Sequence, residues 1–154
     1  MTKQSEIAAK LIVEAAVGVI AGTVSGQLGI APIVLSERQL RDLGLPPDGT
    51  TMFYPAGDSG VFFDADEARL TIWFDGPDAA RALGVVEAAL KKGYPQAKQA
   101  KDEPDEREPG LRVRSYDLRF DNGRLATIDL GYPPAGAREA KFVAQVTGMT
   151  KKVQ

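Results

Sequence analysis

Leu-Arg-Val-Arg-Ser-Tyr-Asp-Leu-Arg-Phe-Asp (111–121), Asn-Gly (122–123) and Arg-Leu-Ala-Thr-Ile-Asp-Leu-Gly (124–131) form the stretch that decides the fold. Two runs of period-two alternation flank Asn122-Gly123, a dipeptide that favours the positive φ angles of a two-residue hairpin turn. The reading is therefore an antiparallel pair, 111–121 with 124–131. Leu111 and Val113 fall at odd positions, whereas Tyr116, Leu118 and Phe120 fall at even ones. A bulge near Ser115 would reconcile the two sets. Ala126, Ile128, Leu130 and Tyr132 continue the pattern, and Pro133-Pro134-Ala135-Gly136 makes a longer turn. A last strand over 141–149 carries Phe142, Ala144 and Val146 on one side.

Toward the N-terminus the same period marks strands at 51–54, 61–64 and 69–74, the last alternating Leu70, Ile72 and Phe74 with Thr71 and Trp73. Asp75-Gly76-Pro77 ends this run and opens a helix to about Lys92, with Pro in its first turn. Ala79, Leu83, Val86 and Leu90 are its apolar stripe. Ser36 and Gln39 have capping-box spacing for a short helix that Gly44 closes. Leu35 and Leu40 fit a hydrophobic staple beside that cap. Ser5 to about Gly22 reads as an N-terminal helix, followed by a Gly-rich segment to about residue 25. Residues 96–110 concentrate charge with Pro104, Pro109 and Gly110, the composition of a mobile surface loop. The expectation is a single α+β domain over 1–154. It has an antiparallel sheet of about five or six strands, packed by an N-terminal helix, a short capped helix and a central helix.

Composition narrows the chemistry. The 154 residues contain neither His nor Cys. That excludes a Ser-His-Asp triad, a thiolate nucleophile, a disulfide and a His- or Cys-ligated metal within this chain. Nineteen basic residues against 21 acidic ones give no general attraction for nucleic acid. Residues 15–36 carry no charge and are long enough to span a membrane, which leaves that reading open, but Gly, Ser, Thr, Gln and Pro dilute them and a docked helix is the favoured reading. No cofactor loop is present, since Gly18, Gly22 and Gly26 lack both a preceding strand and a Lys-Ser/Thr ending.

Three short motifs have simpler explanations. Gly57-Asp58-Ser59-Gly60 matches a serine-protease nucleophile motif, but no His exists to take the proton. Asp64-Ala65-Asp66-Glu67 begins like a calcium loop, yet Arg69 and Asp75 stand where the Gly and Glu are required. Arg112, Arg114, Arg119 and Arg124 alternate with Asp117, Asp121 and Asp129, which fits cross-strand ion pairs.

Residues 26–74 carry a family resemblance. Leu28-Gly29-Ile30, Leu35 through Leu40, Leu43-Gly44-Leu45-Pro46, Tyr54-Pro55, Val61 through Asp64 and Arg69 through Ile72 resemble small bacterial envelope domains of the SmpA/OmlA and beta-lactamase-inhibitor-like type. The resemblance implies an antiparallel sheet packed by helices, and protein binding in the periplasm or envelope. Two departures stand out: Val34-Leu35-Ser36 replaces a Gly-Met-Thr element, and the lipid-bearing Cys is absent.

The functional expectation is a non-catalytic protein-interaction module. One alternative is a small-molecule binder or a carboxylate/Tyr enzyme with a sheet-lined pocket, for which Tyr116, Asp117, Asp129 and Tyr132 are the candidate residues. Another is an inhibitor or immunity protein meeting a basic partner with Asp102, Glu103, Asp105, Glu106 and Glu108.

Overall fold

A computed structural model describes residues 3–16, 33–47, 51–56, 59–65, 69–106, 110–119, 125–134 and 141–147. Among these residues three helices, α1 (Gln4–Ala16), α2 (Glu37–Asp42) and α3 (Ala79–Gly93), accompany eight strands. These are β1 (Ile33–Val34), β2 (Met52–Ala56), β3 (Ser59–Ala65), β4 (Arg69–Asp75), β5 (Lys98–Pro104), β6 (Arg112–Arg119), β7 (Leu125–Tyr132) and β8 (Lys141–Thr147). They form one sheet in the order β1-β2-β3-β4-β8-β7-β6-β5, with every neighbouring pair antiparallel.

The α+β class and the antiparallel sheet agree with the sequence reading, but the strand number does not. β1 and β5 enlarge the expected sheet to eight strands. β5 lies inside the stretch expected as a mobile charged loop. It pairs with β6 from Lys98↔Asp117 to Pro104↔Arg112, so its polar side chains belong to a sheet edge.

The chain divides into two halves of like construction. In each, a long helix is followed by a four-stranded meander, and the last strands, β4 and β8, pair at the centre. A pseudo-two-fold axis passes through the Ile72·Ala144 pair. Moving outward from it, the register sets Val61 and Tyr54 in one half where Ile128 and Tyr116 stand in the other.

Both long helices cover one face. α1 and α3 pack on each other and on β3, β4, β7 and β8. Ile7, Leu11 and Ile12 of α1 meet Val86 and Leu90 of α3 over Tyr54, Phe63, Ile72, Phe74, Ile128, Leu130 and Phe142, all buried. Each such aliphatic or aromatic side chain stabilises the fold by about 1.5–3 kcal/mol relative to exposure. The α3 stripe follows the sequence reading, with Ala79, Val86 and Leu90 buried and Leu83 packed at its margin. Gln4 ties α1 to the sheet by donating to the carbonyls of Gly60 at 2.8 Å and Asp75 at 3.1 Å.

Local signals were read correctly at α2. Ser36 and Gln39 form both halves of the capping box, and Gly44 adopts φ +74 just past the end.

The terminal hairpin holds the register that buries its apolar residues. Asn122-Gly123 lies outside the described residues. A two-residue loop there would set Arg119 opposite Ala126, but Arg119 pairs with Leu125. The observed register places Tyr116 and Leu118 beside Ile128 and Ala126, so all four reach the core face. Burial of these side chains on one face favours this register.

The bulge expected near Ser115 is not found in that strand, and the sheet's irregularity lies on its neighbour instead. β6 pairs with β7 without interruption, whereas β5 inserts Ala100 between Gln99↔Tyr116 and Lys101↔Ser115. Leu111 and Val113 face one side of the sheet and Tyr116 and Leu118 the other, because apolar side chains are buried on both.

Candidate functional site

The helix-covered face ends in a polar cluster where α3 stops short of the β5–β6 edge. Glu87 comes from α3, Asp102 from β5, Arg112, Arg114 and Tyr116 from β6, and Tyr132 from β7. Arg114 donates to Glu87 Oε2 at 2.8 Å and to Asp102 Oδ2 at 2.8 and 3.0 Å. Its guanidinium also lies 5.5 Å from the centre of the Tyr132 ring. Tyr132 donates to Asp102 Oδ1 at 2.8 Å and accepts from Arg112 Nε at 3.3 Å. The Tyr116 hydroxyl donates to Glu87 through a short hydrogen bond.

The electrostatics follow from these contacts. Burial, then the bond to Glu87, pushes the Tyr116 hydroxyl up to about 12. The Tyr132 hydroxyl bond, helped by the Arg114 and Arg112 guanidiniums, holds Asp102 below the usual carboxylate range. The bonds to Glu87 and then Asp102 raise Arg114 further above its ordinary value. General acid–base work at neutral pH needs carboxyls raised or phenols lowered toward 7. Tyr116 and Asp102 are moved the other way. Two cations face two anions, so the cluster chiefly fastens α3 to the sheet edge.

The opposite face is built differently. Neither α1 nor α3 packs on it. Phe53, Phe62 and Trp73 are successive register partners on β2, β3 and β4. The row continues through Val143, Gly131 and Val113 on β8, β7 and β6. Phe62 stacks on Trp73 with ring centres 5.4 Å apart and planes 12° apart, and Phe53 lies 5.0 Å from Phe62. The three rings stand side by side as a half-buried ridge. Gly60 makes room for it, since a Cβ there would lie 2.2 Å from Phe53 Cζ and 2.6 Å from the Tyr54 carbonyl. One register step away runs a polar row of Asp64, Thr71, Gln145, Asp129 and Ser115. Ser115 donates to Asp129 there.

The sequence-derived candidates do not converge on one site. Tyr116 and Tyr132 join the polar cluster on the helix face. Asp117 and Asp129 lie on the other face, where they accept from Thr127 and Ser115. Parity separates them, since adjacent strand residues point to opposite sides.

The acidic set is also divided. Asp102 is held in the cluster, Glu103 pairs with Lys101 at 3.5 Å, and the backbone N–H of Asp105 donates to the Leu111 carbonyl. Glu106 is exposed, and Glu108 lies outside the described residues. Sequence reasoning missed Glu87, whose place at a half-buried position of α3 gave no signal of its distant partners. It also missed Phe53 and Phe62 as a unit with Trp73.

Among the described residues no group of three carboxylates is placed to hold a metal, and no helix is long and apolar enough to cross a membrane. Comparison of the chain with family models, with curated proteins and with solved structures finds no match.

Proposed function

We propose that this chain is a non-catalytic protein-interaction module that receives its partner on the sheet face away from α1 and α3. The observation that carries the reading is the Phe53–Phe62–Trp73 ridge, half-buried and bordered by a polar row. Aromatic centres with polar surrounds are the composition of protein-binding patches, where a few large rings supply most of the affinity. The partner is a folded protein presenting an apolar patch to the ridge and hydrogen-bond donors to Asp129 and Gln145. In the cluster on the other face, the directions in which Tyr116 and Asp102 are shifted speak against acid–base chemistry there. The resemblance of residues 26–74 to envelope domains extends the proposal to a bacterial cell envelope.

Affinity capture from the native cell tests this with three baits: the parent, Trp73→Lys and Arg81→Ala. Arg81 is exposed on the far side of the molecule. The expected result is a protein retained by the parent and by Arg81→Ala but lost by Trp73→Lys. A partner held equally by all three places the binding surface elsewhere.

A further inference from the structure

We propose that β1 is a homotypic docking edge, through which two copies of this chain join strand to strand, antiparallel, about Val34. The two outer edges of the sheet are built in opposite ways. β5 carries Lys98 and Lys101, a bulge at Ala100 and a terminal Pro104. Each of these devices hinders the addition of another strand. β1 carries no Lys and no bulge, though it is two residues long and Pro32 directly precedes it in the sequence. Ile33 and Val34 are 48% and 73% exposed, and with Leu43 they make up three of the four exposed large apolar residues among those described.

The backbone of β1 is oriented for self-pairing. The Leu35 N–H donates inward to the Thr51 carbonyl, and Ile33 pairs with Phe53. Alternation along the strand therefore turns the N–H and C=O of Val34 away from β2. Among the described residues no strand lies beyond β1. One residue then offers both a donor and an acceptor at the outer edge, the self-complementary set that a two-fold antiparallel pair requires. Pairing Val34 with Val34 of the second copy sets Ile33 opposite that copy's Leu35. Both lie on the face of Phe53, so the apolar row would run on across the joint. The edge is short and buries far less than the roughly 1,600 Å² of a standard interface. The dimer is accordingly weak and concentration-dependent. This inference is independent of the partner-binding proposal, which concerns the sheet face.

Sedimentation equilibrium of the full chain over rising concentration tests it. The expected result is a reversible monomer–dimer equilibrium. Val34→Pro removes the outward N–H while sparing the inward bonds, and its fixed φ suits extended backbone. It should weaken dimerisation by about tenfold or more, the effect of losing two symmetric hydrogen bonds. Thermal unfolding should stay at the parent's midpoint. If Val34→Pro fails to fold, Val34→Lys leaves the backbone intact and should also weaken the dimer by charge repulsion across the two-fold axis. A parent that stays monomeric at the highest concentration overturns the inference. So does a dimer that persists undiminished in the folded Val34 variants.

Discussion

The Asp78 carboxylate accepts a hydrogen bond from the backbone N–H of Ser5 at 2.6 Å, so the residue that precedes α3 caps the first turn of α1. Asp78 makes no side-chain cap bond to its own helix, and its other oxygen takes Arg81 at 3.0 Å. A negative charge at a helix N-terminus satisfies an orphan donor and opposes the macrodipole. Here it also couples two helices that lie 73 residues apart in sequence. Asp78→Ala should lower stability by about 1–2 kcal/mol, the range for lost caps. Asp78→Asn should cost less, because its amide oxygen still accepts. Urea unfolding of the two variants checks the order; equal losses would mean that the retained acceptor contributes nothing and that the cap acts through its charge alone.

Gly76 joins β4 to the turn before α3 with φ +137, a conformation closed to residues with a Cβ. An added Cβ would also lie 3.1 Å from Gln4 Oε1, the side chain that ties α1 to the sheet. Gly76→Ala should therefore destabilise the protein by about 1–3 kcal/mol. Gly84, in the exposed middle of α3, has nothing within 4 Å of its would-be Cβ. Gly84→Ala should stabilise by about 0.5–1 kcal/mol through helix propensity and the unfolded chain. Thermal midpoints moving in opposite directions are the expected outcome, and a shared direction would contradict these backbone assignments.

How much of this was legible follows from which forces write themselves into local sequence. The α2 cap was readable because Ser36, Gln39 and Gly44 sit at fixed offsets set by the helix itself. β4 and α3 were readable because one buried face imposes a period. β5 was not readable as a strand: its core-side residue Asp102 is satisfied by Arg112, Arg114 and Tyr132 instead of by apolar contact. The Lys-rich composition that protects an edge is also that of a loop. Tyr116 and Tyr132 were legible as candidates, but Glu87 was not, because its bonds to Arg114 and Tyr116 span 27 and 29 residues. The central β4·β8 pairing likewise leaves no local trace.

Tyr116 should titrate late. Its folded hydroxyl is raised from 10.0 to about 12, by burial first and by the bond to Glu87 second. A neutral group held protonated in the folded state stabilises fully below its unfolded value. That contribution is lost as pH rises from about 10 through about 12. Stability should therefore decline across this alkaline window, and less steeply in Tyr116→Phe. Tyrosinate absorbance measured against pH should show a late-ionising component that Tyr116→Phe removes. Glu87→Gln should move it only part of the way back, because burial remains.

Phe62 stands between Phe53 and Trp73, with ring centres at 5.0 and 5.4 Å, so its removal breaks both contacts of the ridge at once. A paired aromatic contributes about 0.5–1.5 kcal/mol beyond its burial. Phe62 is only half-buried, so a truncation cost near the low end of the core range is expected. Phe62→Ala should cost about 2–3 kcal/mol. Phe53→Ala should cost less in a Phe62→Ala background than in the parent, since one of its partners has already gone. Trp73 is the sole tryptophan, so its emission reports on this face without labelling. Loss of the stacked ring exposes the indole to water, and the emission should shift to the red and become more accessible to a neutral quencher. A parent-like spectrum in folded Phe62→Ala would mean that the two rings do not stack, and the ridge would then fail as the centre of a binding surface.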